Sequence, residues 1–329
     1  MQNQLSEKEQ NINISIILIG KNVEKTLKSC VDSIFKSIKN TKYIDKYEII
    51  YIDSCSIDKS INISKELGIN YLEISESFTS ASLGRYLGIK YSKYDNILFM
   101  DADMELDSEW FNSSYNTYLE YKAITGERYE KLYKNNIIIK EIPNFYNIKY
   151  IEEGNNIGGC FMIDKKIIQN NNFSPILLEE EERDFYSKFY INNKIYKVPI
   201  QMFIHNNYNL SGKRFVEYFI PHKKIGYILS FFSSIKHGYS RGYVELQSMY
   251  MFSMLSSLIF YIGIFSSNFL LISISIVVLV AFNRKQFKGS LMTMLFFPYK
   301  FLISLFYFKK NYTIKYKYLN KDYVEVVKI

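Results

Sequence analysis

Two periods of apolar residues alternate along the first hundred positions. Residues 14–19 (Ile-Ser-Ile-Ile-Leu-Ile) form a β-branched, nearly continuous apolar run bounded by Gly20, the pattern of a strand buried on both faces. Val23, Leu27, Cys30, Val31, Ile34 and Ile38 then recur at helical spacing. A second strand is predicted at 48–52, ending at Asp53. Ser56, Ile57 and Asp58 open a helix with capping residues, and Gly68 closes it. A third strand follows at 70–74, a helix at 80–91, and a fourth strand at 97–100, which runs into Asp101 and Asp103. Four strands alternating with helices predict a βαβ arrangement, a Rossmann-type, mostly parallel sheet with flanking helices.

Beyond Trp110 the pattern weakens. Residues 115–150 are rich in Tyr, Lys and Asn and read as a helix followed by an irregular segment. The stretch 154–163 is glycine-rich and then strand-like, 173–178 reads as a loop, and the acidic run 179–184 opens a helix. A last strand is expected at 194–198, with His205 soon after.

The C-terminal third differs in kind. No charged residue occurs between Leu246 and Asn283. As one helix, 249–282 would be about 51 Å long, against about 30 Å of hydrocarbon. Gly263 and Ser266-Ser267-Asn268 interrupt it midway, so it reads as a helical hairpin with two short legs. Arg214, Lys223, Lys224, Lys236 and Arg241 precede it, and Arg284, Lys285 and Lys288 follow it. Basic flanks on both sides suit two ends on one cytoplasmic face of a bilayer. A further apolar segment, 291–308, carries Pro298 and Lys300 and is expected to be interfacial or re-entrant. The expected organisation is therefore an α/β domain at 11–212 and a membrane-associated helical region at 213–329.

Charge and cysteine content narrow the function classes. There are 41 Lys and Arg against 33 Asp and Glu, a formal net charge of +8. The basic residues surround apolar segments instead of forming a soluble stripe, so no nucleic acid partner is expected. Cys30, Cys55 and Cys160 have no metal-ligand spacing and are too few for a disulfide framework, which suits a reducing, cytoplasmic active domain. The polar first eleven residues, with Glu7 and Glu9, predict no signal peptide.

The chemistry is expected around Asp101 and Asp103. In an open α/β sheet, ligands bind beyond the carboxyl ends of the strands. Two carboxylates there are hard oxygen donors suited to Mg2+ or Mn2+ holding a diphosphate. Taken alone, Asp-x-Asp is also what a solvated strand end looks like, with Asp107 or Ser108 capping the next helix. The run 179–182 alone suits a solvated helix start favoured by the helix dipole.

The order of elements resembles the family 2 glycosyltransferases. Residues 14–22, ISIILIGKN, resemble their first strand and the Asn-bearing turn, here Asn22. Residues 53–58, DSCSID, resemble the D-[SG]-x-S-x-D turn, and 84–89, GRYLGI, the A-R-N-x-G helix, with Tyr86 in place of Asn. Asp101-Ala102-Asp103 stands at the D-x-D position. Residues 181–188, EERDFYSK, resemble E-D-x-D-L-x-x-R, with Glu182 for Asp and Lys188 for Arg. Val198-Pro199 followed by His205 resembles the V-P…H ending.

The resemblance covers about 11–210 and implies a GT-A-like fold and an inverting enzyme, which the helical hairpin would attach to a membrane. That enzyme would use Mn2+ or Mg2+ to transfer one sugar from a nucleotide-sugar, UDP-linked by default, to a lipid-linked or cell-surface glycan acceptor, a class that the membrane hairpin motivates. It implies a metal on Asp103, Asp101 and His205, and donor contacts from Asn22, Asp53, Asp58, Arg85, Asp101 and Asp103. Glu182 is the implied base, with Glu181 as runner-up, and Gly158, Gly159 and Asp184 belong to a donor or acceptor loop. The Q-x-x-R-W motif of processive members is absent, since Trp110 is the single Trp. Competing readings are a polyprenyl-phosphate sugar synthase of the same fold, a nucleotidyltransferase, and a non-catalytic membrane scaffold.

Overall fold

The computed structural model describes residues 11–74, 79–154, 158–168, 172–175, 181–189, 192–208, 255–282 and 324–327. The chain forms two compact units, 1–175 with 192–212 and 322–329, and 176–191 with 213–321.

The first unit is built on one mixed sheet. Strands β1 (Ile12–Gly20), β2 (Ile44–Asp53), β3 (Asn70–Ile74) and β4 (Asn96–Asp101) lie where the apolar runs predict them. They pair in parallel in the order β3-β2-β1-β4. Helices α1 (Leu27–Lys39), α2 (Ser60–Glu66) and α3 (Ala81–Tyr91) connect them. Strand β1 is buried on both faces because it is central, so its side chains do not alternate with polar ones. Helix α3 lies close against β1. A Cβ on Gly88 would run into Ile17, so only glycine tolerates this approach. The register brings the strand ends level, with Gly20 beside Asp53 and Ile19 beside Asp101.

The other half of the sheet departs from the expected parallel order. After the short β5 (Met104–Leu106) and α4 (Trp110–Tyr121) come β6 (Ala123–Lys134), β7 (Ile137–Ile142), β8 (Glu152–Glu153), β9 (Phe161–Asp164) and, beyond the short helix α5 (Lys165–Ile168), β10 (Tyr196–Asn207). The sheet continues β4-β9-β6-β10-β5, with β9 antiparallel to both neighbours and β5 antiparallel to β10. Only β6 and β10 run parallel there. The sheet as a whole is mixed.

Residues 123–142 are therefore not irregular. They form a long hairpin whose turn, Asn135-Asn136, has positive φ at both positions (51° and 63°). That conformation suits the tight turns that match strand twist, and Asn tolerates it. The hairpin escaped the apolar pattern because β7 is an exposed edge strand with no buried face to mark it. The predicted strand at 194–198 is the start of β10, whose register shifts between Lys197 and Phe203, around Pro199. At the opposite edge, β11 (Val324–Val327) pairs antiparallel with β3, which the basic, aromatic tail did not suggest.

In the second unit the described residues include helix α6 (Glu181–Phe189), helical residues 255–265 and the helix Phe269–Phe282. The last two form a helical hairpin. Its turn is closed by backbone bonds from Ser266, Ser267 and Asn268, and Asn268 Oδ1 accepts from the N–H groups of Leu270 and Leu271. No described helix is long and apolar enough to cross a membrane. The predicted segment 291–308 and the basic flanks lie outside the described residues.

Candidate active site

The level ends of β1, β2 and β4 set out a row of side chains. The β1–α1 turn carries Asn22 at φ 56°. Asn22 Oδ1 accepts from the Ile57 N–H (2.9 Å), and its own N–H donates to Ser56 Oγ (2.8 Å). Asp53 is buried and accepts from Tyr51 O–H (2.8 Å) and from the backbone N–H (2.7 Å) and hydroxyl of Ser56. Asp58 accepts from the Glu24 N–H and the Ser60 N–H, each at 3.0 Å. Burial pushes the Asp58 carboxyl up, but these donors outweigh it and hold the group below its ordinary value. The 53–58 turn is thus a folded brace that locks two loops together.

At the end of β4 the two aspartates part company. Asp101 Oδ1 accepts from Arg85 Nη2 at 2.9 Å. Arg85 is buried on α3 with its guanidinium over the Phe173 ring (5.7 Å to the centroid). The Gly158-Gly159 turn passes against the same carboxylate. A Cβ on Gly159 would lie 2.6 Å from Asp101 Oδ2, and its φ of +75° also favours glycine. Gly159 permits this close approach to Asp101, whereas a Cβ on Gly158 would meet the Tyr146 hydroxyl.

Asp103 faces the mixed half of the sheet. Its Oδ2 lies 3.6 Å from His205 Nε2 on β10. Its Oδ1 is buried and, among the described residues, has no hydrogen-bond partner. The other ring nitrogen of His205, Nδ1, lies 2.9 Å from Glu130 Oε2 and 2.7 Å from Arg128 Nη2. Strand register makes this possible, since His205 pairs directly with Glu130 across β10 and β6. Burial pulls the His205 ring down and Arg128 adds to that. The Asp103 and Glu130 carboxylates prevail and hold it above its ordinary value. Burial raises Glu130, yet Asn207, Arg128 and His205 keep it below its own.

A cavity of about 670 Å³ opens over this row. Asn22, Asp58, Asp103 and His205 line it together with Lys21 and Lys25, and Tyr133, Asn135 and Asn136 reach it from the β6–β7 hairpin. Asp53, Arg85 and Asp101 are not among its lining residues. No group of three or more His, Cys, Asp or Glu side chains is arranged to hold a metal among the described residues. Asp103 and His205 are a pair of donors.

The remaining candidates sit in the second unit. Glu181 and Glu182 form the half-buried first turn of α6. Asp184 is buried in that helix, 2.6 Å from Lys188 Nζ one turn later, and so does not lie in a loop. The sequence reading missed Arg128 and Glu130. Their signal was alternation along β6, blurred by the tyrosines and lysines between them.

Residues 15–171 match the family model described as Glycosyl transferase family 2. A 108-residue stretch is 32% identical to 4,4'-diaponeurosporenoate glycosyltransferase from Staphylococcus haemolyticus (strain JCSC1435), covering 31% of this chain and 27% of that protein. The chain thus spans about a quarter of that relative's length. Among solved structures, S. aureus TarS residues 1–349 in complex with UDP-GlcNAc align at TM-score 0.51 and 14% identity, over 76% of this chain and 81% of that one. GalNAc-T7 with UDP, GalNAc and Mn2+ aligns at TM-score 0.50 and 14% identity, over 63% and 46%. The mixed α/β sheet is the GT-A glycosyltransferase fold.

Proposed function

We propose that this protein transfers a single sugar from a UDP-linked donor to a lipid-linked or cell-surface glycan acceptor, inverting the anomeric centre. The observation that carries the reading is the cavity in which Asn22, Asp58, Asp103 and His205 converge beyond the strand ends. The two structures of this fold that are complexes with UDP-GlcNAc or UDP support a UDP-linked donor.

The donor atoms suit a divalent cation. Asp103 presents a buried carboxylate oxygen with no hydrogen-bond partner among the described residues, and His205 presents an imidazole nitrogen beside it. One carboxylate and one imidazole leave most of the coordination sphere to phosphate oxygens and water, which Mg2+ and Mn2+ accept. When bound, the cation neutralises the charge that develops on the departing nucleoside diphosphate. Lys21 and Lys25 add positive charge on the same wall. Asn22 and Asp58 shape the nucleotide end of the cavity, while Arg85 holds Asp101 in place from behind. Asp53 acts through the turn it braces.

Glu182, with Glu181 as runner-up, is the proposed base that takes the acceptor's proton for in-line attack. The α/β domain is proposed to face the cytoplasm, and the helical hairpin to rest against a bilayer. Phe265, Phe269, Leu270 and Val277 are exposed apolar residues on that hairpin, which supports this placement.

The test is UDP-sugar hydrolysis and transfer by the purified full chain with Mn2+. Glu182→Gln is expected to spare donor binding and lose transfer. If Glu181→Gln alone has that effect, the base is one residue earlier. Release of pyrophosphate in place of UDP would assign the site to nucleotidyl transfer.

A further inference from the structure

His205 Nδ1 has two claimants that cannot both be satisfied. Glu130 Oε2, at 2.9 Å, can only accept a hydrogen bond. Arg128 Nη2, at 2.7 Å, can only donate one. Nδ1 carries its proton when it serves Glu130 and exposes its lone pair when it serves Arg128. The choice fixes what the opposite nitrogen offers to Asp103. A neutral ring that donates from Nδ1 turns a free Nε2 lone pair toward the cavity. A ring that accepts at Nδ1 turns an N–H there, which no cation can use.

Glu130 is built to win this contest. It is buried, and Asn207 Nδ2 donates to its Oε1 at 3.0 Å, which fixes the plane of the carboxylate. Arg128 Nε donates to Oε2 at 2.6 Å, so the guanidinium has an alternative partner beside it. The Arg128 guanidinium also lies over the Phe145 ring, 4.6 Å from its centroid, which limits its swing. Metal-ligating histidines commonly donate their second N–H to a carboxylate, and losing that partner weakens metal binding about 10- to 100-fold.

We propose that Glu130 is a positioning residue that holds His205 as the Nδ1–H tautomer so that Nε2 can take a divalent cation together with Asp103, and that Arg128 is the competitor for the same nitrogen. This rests on the cation site proposed above, and it predicts effects of opposite sign from two adjacent residues of one cluster. Removing Glu130 frees Arg128 to claim Nδ1, whereas removing Arg128 leaves Glu130 unopposed.

The experiment measures Mn2+ affinity of the full chain in the presence of UDP by calorimetry. Glu130→Gln is expected to bind Mn2+ at least about tenfold more weakly than wild type. Arg128→Met, which keeps the aliphatic stem, is expected to bind as tightly or more tightly. Equal affinity in Glu130→Gln and wild type, or equal weakening in both variants, overturns the proposal and leaves the cation site standing. A wild-type chain that takes up no Mn2+ with UDP overturns both. A second readout does not depend on the variants folding. The chain has three histidines, so ring 15N shifts of a histidine-labelled sample with Mg2+ and UDP can be assigned. A proton on His205 Nδ1 is expected, and a proton on Nε2 in that complex overturns the proposal.

Discussion

The two halves of the sheet use acidic residues in opposite ways. In the parallel half, Asp53 and Asp58 are already supplied with hydrogen-bond donors from their own and neighbouring loops. They shape a wall. At the seam with the mixed half, Asp103 keeps a buried oxygen with no hydrogen-bond partner among the described residues, next to a histidine held from behind. It offers a bond to something else. Position at a strand end therefore does not by itself distinguish a ligand from a brace. Counting each carboxylate's donors does, because a buried acceptor left unmade is costly in the absence of its ligand.

The largest test of this contrast is Asp103→Asn. Loss of the cation's contribution, several kcal/mol, should lower turnover by two or more orders of magnitude while the melting temperature stays near wild type. Activity close to wild type would place Asp103 among the braces. Asp53→Ala should show the reverse pattern. Leaving the Tyr51 and Ser56 donors unsatisfied should cost about 1–3 kcal/mol of stability, read as a lower urea midpoint. A smaller loss of donor affinity should follow as the turn loosens.

Packing differs between the halves as well. Gly88→Ala forces a methyl group into Ile17 and should destabilise by about 1–3 kcal/mol. Ile138→Thr, on the exposed edge strand β7, should stay within about 0.5 kcal/mol. The smallest effect concerns pH. Asp58 binds its proton less readily in the folded chain than in the unfolded one. It therefore stabilises the fold above its ordinary value, and that contribution is lost as pH falls through its lowered one. Asp58→Asn should flatten the acid limb of a stability–pH curve, and an unchanged limb would remove Asp58 from the bracing set.

The same division decides what could be read from the chain. In the parallel half, burial on both faces writes a continuous apolar run for β1, β4 and the end of β2, so these strands and the level of Asp53 and Asp101 were legible. In the mixed half, β7 has an open face and β6 interleaves Tyr and Lys, so local composition pointed to irregular structure. Glu130 and His205 are 75 residues apart, and nothing local joins them. Their meeting depends on which strand lies beside which, and that is a property of the whole sheet. The one local clue was the Asn135-Asn136 pair, a turn signal that had no clean alternation on either side to support it.

That turn has a practical consequence. The hairpin reaches the cavity with β6 paired to β10 as far as Leu132, and only its tip around Asn135 and Asn136 extends beyond that pairing. Lengthening or trimming it around Asn135 and Asn136 would change the clearance above the strand ends without disturbing the carboxylates beneath. The width of the cavity mouth should accordingly be adjustable through that turn alone.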